Sequence, residues 1–439
     1  MLELTRREVL LRHAARESIS RAAARSLPLV VGRAQGVEVW SVEGKRYLDF
    51  FGGSGALALG HNHPKIVAAM RGKLDSLAEV HDFPAEVRDS FVSELLEFLP
   101  ETMRGKMKVH LCAPSGADAV ETAIRLCKQA TGRSGVIAFH GAWHGATAGA
   151  LATSAPREAK HRVFALMPDV TFAPYSYCLR CPLKLEPSSC NTACAAMLET
   201  VFEDSHSGVP DPAAVLIEPI QGEGGSIVPV PDFVRRVADA ARAAEVPLIA
   251  DEVQTGLGRT GRWWAFEHFA IQPDVIVVAN ALGGIGLPVA VTLYRSDLDV
   301  GDTGAPSTPF RGNQLALVAG LTALGVLREE PILDNVGKRG EELRSGLYRI
   351  AGRSVAEVRG MGLMIGVEFA DPESNAPLPE IARRVRDECF SRGLLTALGG
   401  RRDATLRLLP PLVVTRDQVE EALSILDDAL RAVNLNGAG

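Results

Sequence analysis

The stretch IADEVQTGLGRTGRWWAFEH (249–268) holds the residues best placed to do chemistry. Asp251 closes a run that reads as a buried strand, where a carboxylate is costly unless a cation meets it. A protonated ring nitrogen is one such cation. An isolated Asp at a strand end more often caps the next turn, so the weight falls on its company. Ser115, Gly116 and Ala117 stand directly before DAVETAIRLCKQA (118–130), which has helical spacing. Small residues at a helix start expose backbone N–H groups, and the helix dipole favours an anion such as a phosphate. Alone, the same triplet is only an N-cap. Cys178-x-x-Cys181, Cys190 and Cys194 have spacing that could hold zinc through thiolates. A surface excursion with free thiols is the favoured reading, so no metal site is expected.

These candidates need elements to position them. GVIAFH (135–140), AVLIEPI (214–220), PLIADEV (247–253), VIVVANAL (275–282) and PVAVTLY (288–294) are short, β-branched and apolar on both faces. Interleaved with helical runs such as DFVRRVADAARAAE (232–245), they predict an α/β fold with a mainly parallel sheet covered on both sides. Residues 37–51 alternate around a Glu43-Gly44 turn and predict a hairpin. After residue 312 come helical runs at 313–328, 331–351, 379–391 and 416–433, with strands near VAEVRGMGLMIGVEF (355–369). The expected division is an N-terminal segment, 1–58, packing with the small domain; a large domain, 59–312, carrying the site; and a small α+β domain, 313–439.

With 439 residues the chain exceeds one ordinary core, and its formal charge of -6 argues against a nucleic-acid surface. No apolar run approaches the roughly 18 residues that span a bilayer. The first twenty residues lack an apolar signal core, so a cytoplasmic enzyme is expected, with no membrane partner.

Further motifs follow in order: GVEVWSVEGKRYLDFFGGSGALALGHNHP (36–64), SGADAVETAIRLCK (115–128), FHGAWHGAT (139–147), IEPIQGEGG (217–225), FRGN (310–313) and RLLPPLVVT (407–415). Over nearly its whole length the chain resembles the class III, or omega, pyridoxal-phosphate-dependent aminotransferases. It is most similar to the diaminobutyrate, ornithine and 4-aminobutyrate types, with FRGNQLAL nearest the diaminobutyrate type. Some amino-acid epimerases share these motifs. The resemblance implies a fold-type I transferase, pyridoxal or pyridoxamine 5'-phosphate as cofactor, and a small amino acid or amine as substrate. It also implies a homodimer with the site at its interface. Ser115, Gly116 and Ala117 would take the phosphate. Trp143 would stack on the pyridine ring, Val253 would pack on the other face, and Asp251 would meet the ring nitrogen. Gln254 and Glu218 would lie at the phenolic oxygen. Glu223 would face substrate, and Arg407 would fork its carboxylate.

Two positions depart from the family. Its Schiff-base lysine follows the Asp at a fixed interval; here 280 − 251 = 29, and the residue in VVANALGGIGLP is Asn280. No lysine occurs between Lys184 and Lys338. A carboxamide is neither nucleophilic nor basic near neutrality, so Asn280 cannot form the imine or ferry the proton. The cofactor would be held without a covalent tether, with His140 or His144 as a substitute base, or none. An engineered lysine-to-asparagine change in an ordinary aminotransferase or epimerase, and a non-catalytic scaffold homologue, are the competing readings. The second departure is Pro309, where the family places a threonine that donates to the partner subunit's phosphate. Ser307 or Thr308 would have to substitute.

Overall fold

In the computed structural model, residues 5–18, 27–76, 83–301 and 309–435 are described. The strands, in chain order, are β1 (Val31–Gln35), β2 (Glu38–Ser41), β3 (Arg46–Asp49), β4 (Met107–Leu111) and β5 (Gly135–Phe139). Then come β6 (Val170–Ala173), β7 (Pro212–Ile217), β8 (Leu248–Asp251), β9 (Val275–Val278) and β10 (Val291–Arg295). Last are β11 (Val355–Met361), β12 (Met364–Phe369), β13 (Leu394–Leu395), β14 (Ala397–Gly399) and β15 (Thr405–Leu408).

The central sheet has the order β4-β10-β9-β8-β7-β5-β6. Every residue of β7, β8 and β9 is buried, as expected of β-branched strands covered on both faces. One covering helix, Pro231–Ala243, starts with Pro at its first turn and turns Phe233, Val234, Val237, Ala238 and Ala241 inward. Another, Gly116–Thr131, is capped by the Ser115 side chain and stopped by Gly132 in the left-handed region, φ 68°.

The expected mainly parallel sheet is present, with two corrections. β10 runs antiparallel to both β4 and β9, so the PVAVTLY run returns the chain against its neighbours. The VIVVANAL run stops pairing at Val278, and Asn280 opens a short 3-10 turn, Asn280–Gly283. Because β10 reverses, the carboxyl ends of β4, β5, β7, β8 and β9 lie along one edge. That edge is where open α/β sheets bind ligands.

The hairpin forms as β2 and β3, with Trp40 opposite Arg46. β3 pairs in parallel with β13, Leu48 opposite Leu394, so strands from both ends of the chain share one sheet. A third sheet, β11-β12-β15-β14, is antiparallel throughout. Buried Asp49, at the end of β3, folds the loop that follows. Its Oδ1 accepts from the N–H groups of Phe51 (3.0 Å) and Gly52 (2.8 Å), and its Oδ2 lies 3.0 Å from His61 Nε2. Gly53 and Ser54 both take left-handed conformations there, φ 56° and 57°, which aims the Ser54 carbonyl at the sheet edge. Among the described residues no helix is long and apolar enough to cross a membrane.

Gly52 has φ +58°, and a Cβ there would overlap the Leu409 carbonyl oxygen. Gly52→Ala should therefore cost about 1–3 kcal/mol. Exposed Gly337, inside the helix Ile332–Ile350 with nothing within 4 Å, is the control. Gly337→Ala should add about 0.5–1 kcal/mol. Urea unfolding followed by tryptophan fluorescence should move the two midpoints in opposite directions; movement the same way would refute the packing of this loop.

Candidate active site

The sheet edge gathers several chain segments. Asp251 ends β8 beside Val277 of β9 and is buried. Its Oδ1 accepts from Val253 N–H at 3.0 Å, and its Oδ2 lies 2.7 Å from His144 Nδ1. A carboxylate only accepts, so Nδ1 carries the hydrogen. The His144 side chain is fully buried, and its Nε2 has no partner among the described residues.

The loop after β5 supplies His140 to Gly145, and half-buried Trp143 donates its backbone N–H to Glu218 Oε1 at 2.9 Å. The other Glu218 oxygen accepts from Gly222 N–H at 2.7 Å. Burial pushes the Glu218 carboxyl up to about 7. The nearby Asp251 charge adds to the rise, while His144 and the two backbone donors oppose it.

Gln254 sits between two charged groups. Its Nε2 donates to Glu223 Oε1 at 3.2 Å, and its Oε1 accepts from Arg407 Nη2 at 2.5 Å. Arg407, on β15, also pairs with Glu223 Oε1 at 2.6 Å while only 1 % exposed. Arg407 is thus a buried arginine and not part of a surface ion pair. Asn280 is half-buried and donates from Nδ2 to the Ser54 carbonyl at 2.9 Å.

Three glycines allow these parts to close. A Cβ at Gly116 would stand 2.8 Å from Val253 Cγ1, one at Gly145 would stand 2.5 Å from Ala117 Cβ, and one at Gly222 would overlap the Gln254 amide. The structure thus unites Ser115, Gly116, Ala117 and Val253 on one side with Trp143, Glu218, Gln254 and Glu223 on the other.

The family model for "Aminotransferase class-III" matches residues 19–430. The chain belongs to the class III aminotransferases. It is 41% identical to the diaminobutyrate–2-oxoglutarate aminotransferase of Rhizobium meliloti, covering 96% of this chain and 92% of that protein. It is 39% identical to the enzyme of that name from Haemophilus influenzae, covering 95% and 94%. Among solved structures, an ornithine aminotransferase from Toxoplasma gondii superposes with a TM-score of 0.86 at 27% identity, covering 99% of this chain and 97% of that one. These enzymes have a fold-type I architecture, in agreement with the sheet described above.

Class III aminotransferases work through pyridoxal phosphate, and the donor set here suits it in part. A buried carboxylate answers a protonated ring nitrogen. The first-turn N–H groups of Gly116 and Ala117 have no intrahelical acceptors and suit a phosphate. Asp118 is a competing anion at that helix start, held 2.5 Å from Ser115 Oγ. Thr308 and Ser307 lie outside the described residues, and Pro309 is exposed in a turn.

The two histidines considered as substitute bases are placed elsewhere. His144 is enclosed behind Asp251, where it orients the carboxylate. His140 is exposed; its backbone N–H donates to the Ala173 carbonyl and its own carbonyl accepts from Gln221 Nε2, each at 2.9 Å. Sequence reasoning missed the His144–Asp251 pair and the Ser54 carbonyl. The aromatic-His-Gly order of WHG was the available signal for the first; nothing local marks the second. Cys178, Cys181, Cys190 and Cys194 are free and line one cavity of about 310 Å³. Among the described residues no group of three or more potential ligands is placed to hold a metal.

Glu252, beside Asp251, is also fully buried. It accepts from Thr255 Oγ1 and from Phe266 N–H (2.9 Å), and burial pushes it up to about 7. A carboxyl raised in the folded state favours the fold while protonated. Glu218 and Glu252 therefore stabilise below the ordinary value of 4.5 and lose that contribution as pH rises towards about 7. Without added cofactor, Tm should fall between pH 5 and pH 7.5, and Glu252→Gln should make the fall shallower in differential scanning calorimetry. An unchanged slope would refute this burial.

Proposed function

We propose that this chain holds pyridoxal or pyridoxamine phosphate without a covalent tether in a diaminobutyrate-type pocket, and that ordinary transamination by it is nearly absent. The observation that carries the reading is Asn280. It stands at the family's lysine position, flanked by matching residues, and its carboxamide is engaged with the Ser54 carbonyl. Neither of its atoms is a nucleophile or a base near neutrality.

When bound, the cofactor supplies an electron sink for charge released at the substrate α-carbon. The remaining roles fall to the chain. Asp251, oriented by His144, keeps a negative charge at the ring-nitrogen position. Gly116 and Ala117 offer N–H groups to the phosphate, Trp143 offers a stacking face, and Val253 offers an apolar wall. Arg407 takes a substrate carboxylate by exchanging Glu223 for it, and Gln254 holds the guanidinium during the exchange. Among the described residues neither candidate moves the α-proton: Asn280 cannot, and His144 is enclosed.

The relatives' names favour a diamino acid as the ancestral substrate. A homodimer is part of the proposal. Phe310, 67% exposed, lies in the 307–313 stretch that the family resemblance implies reaches across subunits.

The test uses the purified full-length chain. Absorbance spectra should show bound cofactor after reconstitution, and borohydride reduction should leave the intact protein mass unchanged. Asn280→Lys should gain the reducible adduct. It should raise transamination of 2,4-diaminobutyrate with 2-oxoglutarate by about 10²–10⁴. A reducible adduct on the unaltered chain would overturn the proposal. Loss of a native activity on introducing lysine would favour altered chemistry over an ordinary enzyme carrying one substitution.

A further inference from the structure

A second cleft, of about 570 Å³, lies apart from the Asp251 pocket. Its walls come from the loop after β5 (His140, Gly141), from Tyr177 and Arg180, and from the turn between β14 and β15 (Arg401, Arg402). Glu158 is its one acidic lining residue.

The charges beneath the cleft do not balance. Glu368 is 1 % exposed and pairs with Arg180 Nε and with Arg359 Nη2, each at 2.6 Å. Arg359 Nη1 takes Glu357 at 2.6 Å. Those two carboxylates are thus used by two arginines. Arg401 is half-buried, its guanidinium 5.4 Å above the Tyr177 ring, and no described residue accepts a hydrogen bond from it or pairs with it. Arg180 Nη2 is likewise buried without a partner. A guanidinium partly withdrawn from water with no anion bonded to it carries a cost that stacking on an aromatic ring offsets only in part, and its remaining solvent-facing nitrogens are open to an anion.

We propose that this cleft is a binding site for a small organic carboxylate, taken by the guanidinium fork of Arg401 with Arg180 and His140 beside it. A planar fork fits a carboxylate through two parallel bonds, and several cations in one recess concentrate such an anion. The glycine at 141 is required, because a Cβ there would stand 2.5 Å from Arg401 Nη1. The cleft shares its walls with the catalytic pocket. Gly400 N–H donates to the Glu223 carbonyl at 2.9 Å, and Gln221 Nε2 holds the His140 carbonyl at 2.9 Å. Gly141 precedes Trp143 by two residues. The carboxylate could therefore be the distal one of a 2-oxo diacid reaching from the catalytic pocket, or belong to a separately held anion.

Isothermal titration calorimetry on the full-length chain, with glutarate, 2-oxoglutarate and inorganic phosphate, tests the site. It needs no turnover, so its failure is separate from any failure of the Asn280 argument. Glutarate should bind, and Arg401→Gln should weaken it at least tenfold with Tm unchanged. His140→Asp, on the opposite wall, should weaken it too. If the anion is the tail of the oxo diacid, Arg407→Gln weakens both glutarate and 2-oxoglutarate. If it is held separately, Arg407→Gln leaves glutarate unaffected. Equal glutarate binding by Arg401→Gln and the unaltered chain would overturn the proposal. So would absence of glutarate binding, or phosphate binding as tight as glutarate.

Discussion

The constraint on which the rest of this structure depends is the burial of the Asp251 carboxylate at the end of a fully enclosed strand. Left alone it would cost several kcal/mol, so the surrounding architecture has to answer it. His144 supplies one hydrogen bond from the loop after β5, and the Val253 backbone supplies another. The His144 donor requires that β5 and β8 finish at the same edge of the sheet, which parallel strands separated by crossovers ensure. Glu218, Glu252 and Asp251 then crowd one small volume with acids. The first two respond by holding their protons towards neutrality. A cationic ring nitrogen entering this volume would relieve the crowding, which is a physical reason for the pocket to retain its ligand even without a covalent bond.

Asn280 ties two separate parts of the pocket wall together. The 3-10 turn that begins there and the loop folded by Asp49 meet through an amide–carbonyl hydrogen bond. A longer amine would also reach this carbonyl region, so the backbone gives no sign of having rearranged. A fold shared with the class III aminotransferases does not by itself fix the reaction a chain performs; the side chains at the site do.

Much of this was legible in the sequence, for identifiable reasons. Strands such as AVLIEPI and PLIADEV are apolar on both faces, so periodicity and composition agree. The glycine-rich motifs mark positions where a Cβ would collide, as at Gly116, Gly145 and Gly222. The end of the VIVVANAL run was not legible, because Ala279, Ala281 and Leu282 stay buried in a turn much as they would in a strand. β4 and β6 escaped notice because their residues are only partly covered and carry no strong apolar run. The role of His144 was misread because spacing places a histidine near a pocket without saying which way its ring faces. Arg407 shows the converse: its motif marked it, yet only the tertiary structure reveals that Gln254 and Glu223 already occupy its fork.

The reversed strand β10 has a consequence for biosynthesis. It is made after β9, yet it inserts between β9 and β4, whose residues left the ribosome some 180 positions earlier (291 − 111 = 180). Until residues 291–295 emerge, β4 and β9 each present an unpaired edge, strongly apolar in β9, the kind of surface that nascent chains hide in chaperones or lose to aggregation. A chain interrupted before residue 291 would hold most of the pocket's residues and still be unable to seal the sheet that presents them.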